Sequence, residues 1–182
     1  YPGMESLNSR KKDIDIVLVD NKSTDGSVAF VRENYSKVKI IQNLKNLGFA
    51  GGMNRAIELV MNDYEYIMLL DNDLLLSPNS IGDCYKILSS DSNVSICGAT
   101  ITSWNGSVVT SMGGFFANFL TGTNFGYNNN LEVSKTKDMN SYEVFYASGG
   151  AMLVRSSLFK EVGLFDPLYF AYYEEVDLAW RT

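Results

Sequence analysis

The run Tyr64–Pro78, YEYIMLLDNDLLLSP, constrains this chain more than any other stretch. An apolar segment, Ile67 to Leu70, is followed at once by two acids one residue apart, Asp71 and Asp73. Charge directly after a buried strand is costly unless it emerges at the open carboxyl edge of a sheet. Two carboxylates there can aim at one hard cation, and such a cation can grip a diphosphate. A calcium loop fits poorly, because Leu74, Leu75 and Leu76 stand where oxygen ligands and a turn glycine are needed. The competing reading of Asp71-Asn72-Asp73 is a solvated turn ahead of the helix that Pro78 opens.

The rest of the pattern supplies a setting for that edge. Ile14–Val19, Val38–Ile41, Tyr64–Leu70 and Val94–Thr100 read as strands. Helices are predicted from Ser23-Thr24-Asp25-Gly26 through Tyr35, from Met53 to Asn62 and from Pro78 to Leu88. Strands alternating with helices predict an α/β fold with a largely parallel sheet, and near-continuous apolar strands predict helices on both faces. Residues 101–140 break this pattern with Gly, Asn, Ser, Thr and aromatics; Gly113-Gly114, Gly122, Gly126 and Asn128-Asn129-Asn130 read as loops and hairpin turns. A long irregular insertion is more often a binding loop than filler. A strand or strand pair over Tyr142–Val154, interrupted at Gly149-Gly150, a short helix Ser156–Val162 and a helix from Tyr172 to Arg181 complete the chain.

Composition narrows the chemistry. The 182 residues suit one domain, and a net charge of −6 disfavours nonspecific nucleic-acid binding. A phosphate ligand therefore needs a metal, backbone amides or a few placed cations. Cys84 and Cys97 are too few for a disulfide framework and read as reduced, buried thiols of a cytoplasmic protein. The start shows no basic n-region followed by an apolar h-region, which argues against a signal peptide, and no segment approaches the length of a membrane span. Histidine is absent, which removes a Ser–His–Asp triad and a histidine metal site from this chain. Acid–base work falls to carboxylates, Lys, Tyr or Cys.

Three further segments carry candidate chemistry. Asp20, at the end of an early strand, is placed to meet a base or a ribose hydroxyl, with Asn21 beside it; Ser23, Thr24 and Asp25 read as caps. Asn46–Asn54, NLGFAGGMN, reads as a glycine-rich loop whose amides approach a nucleotide, or as a tight strand-to-helix turn. It is neither G-x-G-x-x-G nor a Walker loop. In Tyr172-Tyr173-Glu174-Glu175-Val176-Asp177 three acids crowd a helix start. They complement the helix dipole, or they act as a general base with raised pKa.

In order, V-D-N-x-S-T-D-G-S, N-x-G-F-A-G-G-x-N, L-L-D-N-D, G-G-A-M-L-V-R, G-x-F-D and E-E-V-D-L-A-W-R resemble the family 2 glycosyltransferases, particularly the rhamnosyltransferase-like members of the GT-A fold. The resemblance runs from Ile14 to Arg181. It implies inverting, metal-dependent transfer of a sugar from a UDP-, dTDP- or GDP-sugar to a glycan or lipid-linked acceptor. By position, Asp20 would bind the base, Asp71 the ribose or metal, and Asp73 would ligate Mg²⁺ or Mn²⁺. Glu175 would be the catalytic base, with Glu174 and Asp177 as neighbours. Gly51, Gly52 and Asn54 would shape the donor site, and Gly149 and Gly150 would lie beneath the sugar and acceptor. The family pattern also implies a preceding strand between Ile14–Val19 and Tyr64–Leu70, so the chain reads as a fragment or as one whose gap another chain fills. The base position commonly holds Asp in the family and holds Glu here. Location at the inner membrane face and a homo-oligomer are compatible with the resemblance. A sugar-phosphate nucleotidyltransferase and a non-catalytic sugar-nucleotide-binding module are the rival readings.

Overall fold

The computed structural model describes residues 14–118, 121, 123–126, 128–136 and 138–182. Gly122, read above as a turn glycine, lies outside them, as does the opening segment 1–13.

Strands β1 (Val17–Asp20) and β2 (Lys39–Gln42) pair in parallel, joined through helix α1 (Ser27–Asn34). Helix α2 (Gly48–Val60) leads into β3 (Tyr66–Leu70), and α3 (Ser80–Ser90) into β4 (Ile96–Gly98). β5 (Ile101–Thr102) pairs antiparallel with β6 (Val109–Ser111), and β7 (Gly114–Asn118) with β8 (Thr123–Gly126). The chain then returns as β9 (Ala151–Arg155), followed by α4 (Ser156–Val162) and α5 (Glu174–Arg181).

Among the described strands only β1 and β2 pair in parallel, and the other four pairings run antiparallel, unlike the largely parallel sheet expected. β9 inserts between β3 and β4 and runs antiparallel to both, so β3 and β4 are parallel to each other. Among the described residues β1 and β3 each pair on one side only.

β9 explains why the sheet is buried on two faces. Its side chains alternate, so Met152 and Val154 face one way and Leu153 the other. Met152 and Val154 join Ala50 and Ile57 of α2, Ile67 and Leu69 of β3, Phe159 of α4 and Leu178 of α5. Leu153 joins Cys84 and Leu88 of α3 and Cys97 of β4. Both cysteines are buried free thiols in that second layer. Arg155 ends β9 as a tie: its guanidinium donates to the Leu88 carbonyl at 2.7 Å and to the Tyr66 hydroxyl at 3.0 Å. No helix among the described residues is long and apolar enough to cross a membrane.

α2 begins earlier than the composition predicts. Gly51 and Gly52 lie inside it, where helix interiors usually disfavour glycine. Their packing gives the reason. A Cβ on Gly51 would stand 2.9 Å from the Leu47 Cβ, and one on Gly52 would stand 3.1 Å from the Asn21 amide nitrogen.

Met152 is wholly buried between β3 and β4. Met152→Ala is expected to cost about 2–5 kcal/mol in urea unfolding, through lost burial and a residual cavity. A cost below about 1 kcal/mol would show that this layer collapses freely.

Candidate active site

The carboxyl end of β3 and the start of α5 meet at one turn. The Asp71 amide donates to the Gly150 carbonyl at 2.9 Å. A Cβ on Gly150 would stand 3.0 Å from Asp71 Oδ2, and one on Gly149 would stand 3.7 Å from Glu174 Oε1 and 3.6 Å from the Phe49 ring. Gly150 thus lets Asp71 close on the turn, while Glu174 lies at ordinary contact distance beside Gly149.

Burial raises the pKa of these acids. Glu174 is only 4% exposed, and Glu175 beside it is half-buried. The Oε2 atoms of both are buried and find no hydrogen-bond partner among the described residues. Burial, then the charges of Glu175 and Asp71, raise Glu174 to about 7. Burial and the Asp71 charge also raise Glu175, but a hydrogen bond shared with Glu174 favours its ionised form. Asp71 is raised by burial and then by Asp73. Within the pair, Glu174 is the more readily protonated and Glu175 the more readily ionised.

The approach to this pair is strained. Phe170, Tyr172 and Tyr173 have φ of 52°, 71° and 71°, a left-handed backbone that costs non-glycine residues of order 1–2 kcal/mol each. Two contacts to α2 hold this strap. The Ala50 amide donates to the Phe170 carbonyl at 3.2 Å. Gly48, at φ 71°, lies so close that its Cβ would fall 2.2 Å from the same oxygen. Tyr172 is 82% exposed, and Tyr173 and Phe170 are about half exposed.

Asp20 ends β1 buried, and its Oδ1 accepts the Ser23 amide at 3.0 Å. Burial would raise its pKa, but hydrogen bonds from Ser23, Gln42 and Lys22 outweigh that and hold it below the usual value. Asp20 and Asn72 share a small cavity of about 60 Å³ with Val19 and Val28, so the ends of β1 and β3 face one recess. Asp73 is exposed beside it. The cap residue of α1 is Gly26, at φ 83° and without a side-chain cap; Asp25 before it accepts the Ser27 amide at 3.0 Å, so none of Ser23, Thr24 and Asp25 is the expected cap. A larger hollow of about 440 Å³, walled by Tyr64, Glu65, Arg155, Ser156 and Lys160, lies at the amino end of β3, and no predicted site residue lines it.

Several predicted site residues serve as struts. Asn21 donates to the Gly48 carbonyl at 2.9 Å and accepts from Asn43 at 2.9 Å, tying β1 to the start of α2. Asn54 bonds both the amide and the carbonyl of Phe165, at 3.1 and 2.8 Å. Gly51 and Gly52 supply close packing inside a helix rather than free loop amides. Asp177 departs from the expected catalytic neighbourhood. Its carboxylate pairs with Arg181 at 2.8 Å, one helical turn on, and Arg181 in turn holds the carbonyls of Val162 and Leu164.

Among the described residues no group of three or more acids, histidines or cysteines could by itself hold a metal ion. Asp71 and Asp73 offer two carboxylates next to crowded, partly unsatisfied acids. That donor set fits a Mg²⁺-type ion which completes its shell with water and substrate phosphate. Sequence reasoning missed Tyr146, whose phenol is raised by burial and then by Glu175 and Tyr173. It also missed Phe49, against Gly149.

The chain and its fold have relatives. The chain is 28% identical over 94% of its length to an N-acetylglucosaminyl-diphospho-decaprenol L-rhamnosyltransferase of Mycobacterium tuberculosis, and 26% identical over 98% to the low-salt glycan biosynthesis hexosyltransferase Agl10 of Haloferax volcanii. It spans 61% and 57% of those proteins. Among solved structures, S. aureus TarS 1–349 superposes with a TM-score of 0.67 at 16% identity, covering 99% of this chain and 50% of that one. GalNAc-T7, crystallised with UDP, GalNAc and Mn²⁺, gives 0.72 at 15%, covering 98% and 36%. PcManGT of Pyrobaculum calidifontis, a mannosyltransferase in complex with GDP-Man and Mn²⁺, gives 0.59 at 18%, covering 91% and 42%. These likenesses establish the GT-A fold. The sequence profile of glycosyl transferase family 2 matches residues 3–163, and the chain belongs to that family.

Proposed function

We propose that this chain is the catalytic part of a metal-dependent, inverting glycosyltransferase. Its donor is a UDP-, dTDP- or GDP-sugar, and its acceptor is a hydroxyl of a glycan or a lipid-linked sugar. The observation that carries this reading is the convergence of Asp71, Glu174 and Glu175 on the Gly149-Gly150 turn at the sheet edge. The lipid-linked acceptor follows the printed name of the mycobacterial relative and would put the enzyme at the cytoplasmic face of a membrane.

Asp20 and the recess it shares with Asn72 would receive the base and ribose. Asp73, with Asp71, would hold Mg²⁺ or Mn²⁺. When bound, the cation neutralises the negative charge that develops on the departing diphosphate. Gly149 and Gly150 leave room for the sugar against the Asp71 and Glu174 carboxylates. Glu175 accepts the proton of the attacking hydroxyl as that oxygen bonds the anomeric carbon from the face opposite the diphosphate. One displacement of this kind inverts the anomeric centre and needs no enzyme nucleophile. Glu174, protonated near neutrality, keeps Glu175 in place by sharing its proton. Residues 101–140 would line the acceptor side.

Three measurements test these roles. In a thermal-shift assay with UDP, dTDP and GDP, the native chain should gain stability only with Mn²⁺, and Asp73→Asn should lose that gain. Glu175→Gln should keep the gain but lose roughly 10²–10⁴-fold in turnover. Full transfer by Glu175→Gln would refute its assignment as the base.

The third measurement concerns Glu174. Its folded pKa of about 7 lies above the ordinary 4.5, so its contribution to stability is complete below pH 4.5 and is lost as pH rises to 7. Without divalent metal, Glu174→Gln should therefore exceed the native chain in stability by about 1–3 kcal/mol at pH 8, with the difference shrinking toward pH 4.5. Urea unfolding at both pH values decides this, and a difference independent of pH would rule out burial of charge as its source.

A further inference from the structure

Tyr146 has no part in the roles above, yet the fold gives it a dedicated seat. Gly114 and Tyr146 form an isolated antiparallel bridge: the Gly114 amide donates to the Tyr146 carbonyl at 2.9 Å, and the Tyr146 amide returns to the Gly114 carbonyl at 3.2 Å. The phenol lies where a side chain at Gly114 would be. A Cβ there would fall 2.2 to 2.3 Å from Cε1, Cζ and the hydroxyl oxygen of Tyr146. Gly113, at φ 79°, lies equally close, its Cβ position being 2.5 Å from the Tyr146 carbonyl oxygen. Two successive glycines thus accommodate one tyrosine, including its polar end.

The seat also fixes where the phenol stands. Residues 145–150 run along α5. At one end the Phe145 ring meets Trp180 edge-on, with centroids 6.0 Å apart. At the other end Gly149 adjoins Glu174. Tyr146 lies between these contacts on the flank of the helix that carries Glu175, and the charges of Glu175 and Tyr173 both act on its phenol. Among the described residues Glu175 Oε2 has no hydrogen-bond partner. The phenol thus stands within the electrostatic reach of an unsatisfied acceptor.

We propose that Tyr146 positions the acceptor, which is a pyranoside: the phenol hydroxyl donates a hydrogen bond to the attacking sugar oxygen, while the rings of Tyr146 and Tyr173 face the apolar side of the pyranose. The inference rests on the transferase reading and names the acceptor side of that same site. The proton balance is simple. The acceptor O–H proton passes to the Glu175 carboxylate and the acceptor oxygen bonds the anomeric carbon. The bond to the diphosphate oxygen breaks with its electron pair on the diphosphate. Tyr146 keeps its own proton throughout, since burial and the neighbouring Glu175 and Tyr173 hold the phenol above its usual pKa of 10.0.

The test uses the full chain with Mn²⁺, a panel of UDP-, dTDP- and GDP-sugars, and octyl pyranosides as acceptors. Sugar release to water and transfer to the pyranoside are measured side by side, because water needs Glu175 but no positioning by a phenol. Tyr146→Phe should show the native thermal shift with nucleoside diphosphate and Mn²⁺ and the native rate of release to water. Its transfer should fall roughly 10- to 100-fold, mostly as a raised acceptor KM. Gly114→Ala, which displaces the ring, should reproduce that loss of transfer. Native transfer by Tyr146→Phe overturns the proposal, and so does a parallel fall in release and transfer, which marks a purely structural role. Native-chain release without transfer to any pyranoside overturns the acceptor class. A native chain that releases sugar from no donor overturns the transferase reading itself.

Discussion

Crowding of like charge out of water is the constraint on which the site depends. Asp71, Glu174 and Glu175 come from elements a hundred residues apart and still act on one another. In a low-dielectric recess each ionised acid raises the cost of ionising the next. The protein lowers that cost by letting Glu174 keep a proton near neutrality. It leaves two carboxylate oxygens without partners, which natural interiors tolerate mainly where chemistry needs them. Gly150 helps make the crowding possible, because a Cβ there would stand 3.0 Å from Asp71 Oδ2.

Around that recess the structure uses side chains more often as braces than as ligands. Asn21, Asn54 and Asp177 resemble binding residues in type, yet each is engaged with backbone or with Arg181. Asn54 ties α2 to the Phe165 turn, and Arg181 ties α5 to the loop after α4. Both ties fix the direction in which α5 presents its first turn. The left-handed backbones of Phe170, Tyr172 and Tyr173 store strain ahead of that turn, and the braces keep it from relaxing.

Much of this was legible in the residues. The strand ending in Asp71, the acid cluster at Glu174 and Glu175, and the alternation of strands and helices each state a physical requirement that the fold meets. The antiparallel course of β9 was not legible, because a fully buried strand carries the same apolar run in either direction. Gly51 and Gly52 read as loop residues, since composition cannot show that Leu47 and Asn21 will press against a helix there. The pairing of Asp177 with Arg181 was readable, as an acid four residues before an arginine on a helix. Tyr146 gave no local signal at all. Its partners, Gly113 and Gly114, lie some thirty residues earlier and looked like turn punctuation.

Gly48 has a consequence of its own. The same missing methyl group lets the first turn of α2 touch the carbonyl of Phe170, four residues before Glu174. The start of α2 and the approach to Glu174 are thereby geared together at one point of contact. Neither can drift, in the course of a reaction or over generations of substitution, without carrying the other with it.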